Sequence, residues 1–171
     1  MLHVDGWTCP TDKNRFCLGV IRNVSPHPVV ELIKRRICNG IDVIEINGRI
    51  SIKNITDFSI FIQSKYVNEV MHVEDACVQK IESGYEVDIF DLSYFQTKLE
   101  NTLDSGYENV YHLKNFCTIY LSFIKGWGPF YKRQDLPSLP LWLEFKLIQP
   151  LKLLDKTLRE MTSPDIKIEL L

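Results

Sequence analysis

The stretch VIEINGRISI, residues 43–52, restricts this chain more than any other. Asn47-Gly48 stands between two runs in which apolar and polar residues alternate. An Asn-Gly pair accepts the positive φ angles of a two-residue hairpin turn, and the alternation gives each flanking strand one apolar face. An antiparallel hairpin is therefore expected, and a sheet has to be completed around it. SIFIQS (59–64) and YEVDIF (85–90) read as further strands, and CTIYLSFI (117–124) is rich in β-branched and aromatic residues. LWLEFKL places Leu141, Leu143, Phe145 and Leu147 on one face and Trp142, Glu144 and Lys146 on the other.

Helical periodicity interrupts these strands. In VVELIKRRICNG, Val29, Ile33 and Ile37 share a face, and Gly40 suits the stop. Phe95, Leu99 and Leu103 make a second stripe, closed by Gly106. Pro150 fits the start of a last helix through LKLLDKTLREM. Its stripe is Leu151, Leu154, Leu158 and Met161, and the spacing puts Asp155 on that stripe too. Short strands with helices between them predict a β-sandwich with helices gathered at its ends.

Composition narrows the function. The 171 residues are 45% hydrophobic and 25% charged, which suits one domain with a sizeable core. A net charge of −2 supplies no chain-wide field for nucleic acid or an anionic membrane. No apolar run is long enough to span a bilayer, and MLHVDGWTCP lacks the pattern of a secretory signal. The cysteines Cys9, Cys17, Cys38, Cys77 and Cys117 form no CxxC pair, so they read as reduced, largely structural thiols of an intracellular protein. None of GxSxG, GxxxxGK[ST], HExxH or GxGxxG occurs. His3, His27, His72 and His112 are far apart, with no second ligand at metal spacing. No enzyme, metal or cofactor is expected.

SFIKGWGPFYKRQ, from Ser122, is the segment with chemistry in it. Gly126 and Gly128 permit close backbone approach, while Lys125, Tyr131, Lys132 and Arg133 offer donors that suit a phosphate. The competing reading is a loop whose aromatics pack on the sandwich and whose cations are solvated. LIKRRI, with Lys34, Arg35 and Arg36, reads as a solvated helix face in preference to a nuclear-localisation signal.

FCLG at 16–19, SFIKGWGPFYKRQ, and PLKLLDKTLREMTSP at 150–164 resemble the C-terminal Mad-homology domain of Smad proteins, in register from about Val4 to Pro164. The resemblance implies one domain over 1–171, an antiparallel β-sandwich with a three-helix bundle at one end and a loop–helix face at the other. An opening strand is expected to be missing, which leaves a sandwich edge uncovered, and the N-terminal DNA-binding domain is not expected. The implied function is intracellular signal transduction in the TGF-β/BMP pathway, in cytoplasm and nucleus. Its partners would be phosphorylated Smad proteins in hetero-trimers, type I receptor kinases and nuclear transcription cofactors, with no direct nucleic acid and no membrane insertion. The alternative is an antagonist or scaffold that occupies receptors or trimer positions without activating transcription.

By the same resemblance Lys125, Tyr131, Arg133 and Lys80 match a phosphoserine pocket. Lys132 and Asp135 match receptor-specificity positions. Asp5, Arg15, Val24 and Asp155 match a trimer interface, in which Asp155 would pair with Arg15 of a neighbour. The chain departs from receptor-regulated members in lacking the terminal Ser-Ser-x-Ser, ending instead in PDIKIELL. Met71 and Val73 stand where those members carry aromatics that grip an anchoring protein.

Overall fold

The computed structural model describes residues 1–22 and 27–161. Val24 and the Thr162–Pro164 end of the resembling segment lie outside them. Among the described residues, one sheet runs β2 (Arg15–Cys17), β1 (Leu2–Asp5), β3 (Ile41–Ile46), β4 (Arg49–Asn54), β7 (Glu86–Asp91). The other runs β6 (Gln79–Ile81), β5 (Ile60–Gln63), β8 (Thr118–Phe123), β9 (Trp142–Lys146). Pairing is antiparallel except between β1 and β2. The expected hairpin is β3–β4, closed between Ile46 and Arg49, with φ of 53° at Asn47 and 82° at Gly48. Positive φ at both turn residues matches the right-handed twist of the strands.

The inner faces meet in one core. Ile41, Ile52, Ile60, Ile62, Ile119, Leu121 and Phe123 are each 0% exposed within it. Helices α3 (Leu92–Thr102), α4 (Tyr107–His112) and α5 (Ile148–Glu160) pack on one another as the expected bundle. Helix α1 (Pro28–Ile37) lies with the turn at Leu18–Val20 beside β1, and α2 (Lys65–Val70) packs on β7. Asp91 starts α3 by accepting from the N–H groups of Ser93 and Tyr94 at 2.8 and 3.1 Å. These bonds satisfy amides that have no partner inside the helix.

Several expectations need correction. Leu103 and Val29 are exposed rather than buried on their stripes, because α3 has already given way to a tighter turn at Leu103 and Val29 lies in the first turn of α1. Lys34 is not solvated. It is 4% exposed, and its Nζ donates to Ile21 O at 2.6 Å and to Glu31 at 3.1 Å. Helix α5 begins two residues before Pro150, whose missing N–H falls harmlessly in the first turn. Asp155 is off the apolar stripe. Pro150 and Leu154 are buried and Leu151, Leu158 and Met161 partly so, while Asp155 faces solvent and pairs with Arg159 at 2.9 Å.

The candidate phosphate-binding loop

Loop 124–139 leaves β8 through a strained residue. Ile124 has φ of 70°, a left-handed conformation that β-branched residues avoid. The kink is held from both sides: Lys125 N donates to Phe123 O at 2.8 Å, and Ser122 Oγ donates to Lys125 O. It turns the Lys125 side chain away from the sheet and into solvent.

A small second core shapes the rest. Phe61, Val78, Trp127 and Leu139 are buried together, with Tyr120, Tyr131 and Leu136 packed around them. The Tyr131 ring meets Phe61 edge-on, with centroids 5.5 Å apart. Gly126 is required by that ring, because a Cβ there would stand 2.4 Å from Tyr131 Cε1. Gly128 has φ of 92° and closes the loop, donating to Arg133 O at 2.8 Å and accepting from Tyr131 N at 3.0 Å. The Trp-Gly-Pro turn is thus a fixed platform, and Lys125, Lys132 and Arg133 stand around it.

Strand register brings in Lys80. It lies opposite Phe61, which in turn lies opposite Ser122, so Lys80, Phe61 and Ser122 share one face of the sheet. Lys80 therefore projects on the side of the sheet that carries Tyr131. It is already engaged with Glu82 at 2.6 Å, and this bond, with one from Ser59, holds the Glu82 carboxyl below its usual range. Among the described residues the ion pairs include none from Lys125, Lys132 or Arg133. Arg133 Nε donates only to Ser138 O, at 3.3 Å. Asp135 is exposed at the foot of the loop, beside a cleft of about 660 Å³ lined by Tyr120, Trp127 and Trp142.

The remaining site residues are elsewhere. Asp5 is fully buried, accepting from Trp7 N at 2.8 Å and from Arg15 Nε at 2.5 Å. The Asp5 carboxylate raises the Arg15 pKa, chiefly through this bond. Arg15 is thus paired within the chain, which sequence reasoning had not foreseen. His3 was also missed as a polar hub. Its Nε2 lies 3.5 Å from Asp5, two residues on along β1, and its Nδ1 lies 2.6 Å from Asp42, which is too far away in sequence to suggest the contact. On the segments that carry or flank Asp5 and Arg15, and on α1 beside them, Trp7, Phe16, Val20, Ile21, Val29 and Leu32 are exposed apolar side chains. The segments bearing them are joined by bonds from Gly19 N to Trp7 O and from Lys34 Nζ to Ile21 O. Asp155 lies on α5 of the bundle, outside this patch's own elements.

The MH2 domain family matches residues 1–148. The chain belongs to the MH2 family. MH2 domains are interaction modules of Smad-type signalling proteins, and the geometry above, a shaped loop with donors and an apolar surface patch, is of that kind. Among solved structures the chain is similar to the IAD domain of interferon regulatory factor 9. That similarity has a TM-score of 0.59 at 11% identity and covers 93% of this chain and 77% of the other, so it concerns the fold. No described helix is long and apolar enough to cross a membrane.

Proposed function

We propose that this MH2 domain binds phosphorylated Smad partners in trimers, in cytoplasm and nucleus, and so regulates transcription in TGF-β/BMP signalling. The observation that carries this reading is the loop itself. Its backbone is fixed by a separate small core, and its cations Lys125 and Arg133 meet no carboxylate among the described residues. A phosphate bound there would accept from Lys125, Arg133 and the Tyr131 hydroxyl, with Lys80 exchanging Glu82 for it. Because the loop is already ordered, little conformational entropy remains to be lost on binding.

Lys132 and Asp135, exposed on the same loop, are proposed to select among type I receptor kinases. The apolar patch around Asp5 and Arg15, together with Val24, is proposed as the face that meets Asp155 of a neighbouring subunit. Titration with a doubly phosphorylated serine peptide tests the loop. Binding is expected to weaken on Arg133→Lys, which loses the planar fork. Equal affinity for the unphosphorylated peptide would refute the reading.

A further inference from the structure

The charges of loop 124–139 are sorted between two places. Lys125, Lys132 and Arg133 do not line the cleft of about 660 Å³ at the foot of the loop, and among the described residues no other lysine or arginine does. Two carboxylates do, those of Asp135 and Glu144. Among the described residues Asp135 enters no ion pair, and Glu144 has only the exposed Lys146, 3.7 Å away. An exposed pair of that length is worth little.

Strand register builds the floor of the cleft. Tyr120 lies opposite Glu144 and Ser122 opposite Trp142, so Tyr120, Trp142 and Glu144 stand together on the outer face of the sheet. The Tyr120 and Trp142 rings meet edge-on, with centroids 6.5 Å apart. Trp127 adds a wall. It is 4% exposed and its indole N–H meets no acceptor among the described residues, yet no described polar side-chain atom is sealed away without a partner. That N–H therefore reaches solvent, and Trp127 lines this cleft. Gln63 and Gln134 line it too, and their amide nitrogens donate to Asp75 O and Tyr131 O at 3.2 and 2.9 Å. Their amide oxygens are left as acceptors.

We propose that this cleft binds an arginine side chain of a partner protein. The planar guanidinium carries only N–H donors, and the rim offers two carboxylates and two amide oxygens to receive them. Its flat face stacks on aromatic rings, here Tyr120 and Trp142, whose quadrupoles attract a cation. The Trp127 N–H has no use for a cation, and it takes a main-chain carbonyl beside the arginine. A phosphate or carboxylate ligand would instead meet Asp135 and Glu144 with like charge. The inference does not rest on the phosphate-binding reading, because Lys80, Lys125, Tyr131 and Arg133 lie outside the lining of the cleft.

Nuclear magnetic resonance of the full chain titrated with N-acetyl-arginine amide tests this, read at the tryptophan indole N–H signals. Saturable shifts of Trp127 and Trp142 are expected, and the neutral isostere N-acetyl-citrulline amide should leave both in place. Asp135→Asn with Glu144→Gln keeps the shape of both side chains and should weaken arginine binding about ten-fold. Trp142→Ala removes an exposed ring and should weaken it too, without unfolding the chain. A doubly phosphorylated serine peptide should still bind both variants, so that failure of one site is told apart from failure of the other. Absence of saturable shifts would overturn the proposal, as would equal shifts from the citrulline compound or arginine binding indifferent to the carboxylate substitutions.

Discussion

Gly126 is where a single atom decides the shape of the loop. An alanine methyl cannot coexist with the Tyr131 ring in its present place, so Gly126→Ala must drive that ring off Phe61. The expected result is a folded protein whose affinity for a phosphoserine peptide falls sharply. Isothermal titration beside a circular dichroism spectrum would show both. Charge-assisted contacts of the kind offered by Lys125 and Arg133 are worth about 1.5–3 kcal/mol each, so Arg133→Ala should weaken the same titration by ten-fold or more. Cys117 makes the opposite case. Burial pushes its thiol up to about 12, and it is 0% exposed. A thiol reagent at neutral pH should therefore label exposed Cys9 first and leave Cys117 untouched until the protein unfolds. Early modification of Cys117 would show that the core opens readily.

At the scale of the element, the start of α3 has a pH dependence with a definite sign. Bonds from Ser93, from the Tyr94 N–H and from Arg49 hold the Asp91 carboxyl below its ordinary value, that from the Ser93 side chain being the largest. A depressed folded-state pKa means the cap stabilises fully above the unfolded value of about 3.9 and is lost as pH falls through the lower folded value. Asp91→Ala should cost about 1 kcal/mol at neutral pH and less in strong acid, where the charge-dependent part of the cap is gone. Thermal melts of both proteins at two pH values would measure this, and a pH-independent difference would count against it. Elements with a long period were legible in the sequence: the β3–β4 hairpin, β8, β9, α1 and α5. β1, β2 and β6 were not, since three or four residues hold no period. α2 and α4, at six residues each, are too short to show a pattern: α2 is capped by Ser64, and α4 packs against α5. Of the site, residues 125–133 were legible because one loop holds them together. The pairing of Arg15 with Asp5 was not, because it depends on the parallel register of β1 and β2.

For the whole molecule, the proposed trimer is best tested at Asp155. Its contact with Arg159 is an exposed helical pair worth only about 0.3–0.5 kcal/mol, so Asp155→Ala should leave the melting temperature nearly unchanged. If the carboxylate meets a cation across an interface, the same substitution should abolish assembly with a phosphorylated Smad partner in the ultracentrifuge. Normal assembly would return Asp155 to its surface pair. Arg15→Ala is a poorer probe. It strips the main side-chain partner from a fully buried carboxylate, so the monomer itself should be destabilised.

The loop's four-residue core is separate from the large one between the sheets. Cooperative units with few buried contacts open at lower free energy than the main body of a protein. Warming should therefore release Trp127 and Tyr131 while the strands remain paired, so that binding competence fades before any secondary structure is lost. Tryptophan fluorescence and far-ultraviolet dichroism would then trace two different curves. The useful temperature range of this domain would be set by four side chains on the outside of a sheet, whatever the durability of the sandwich beneath them.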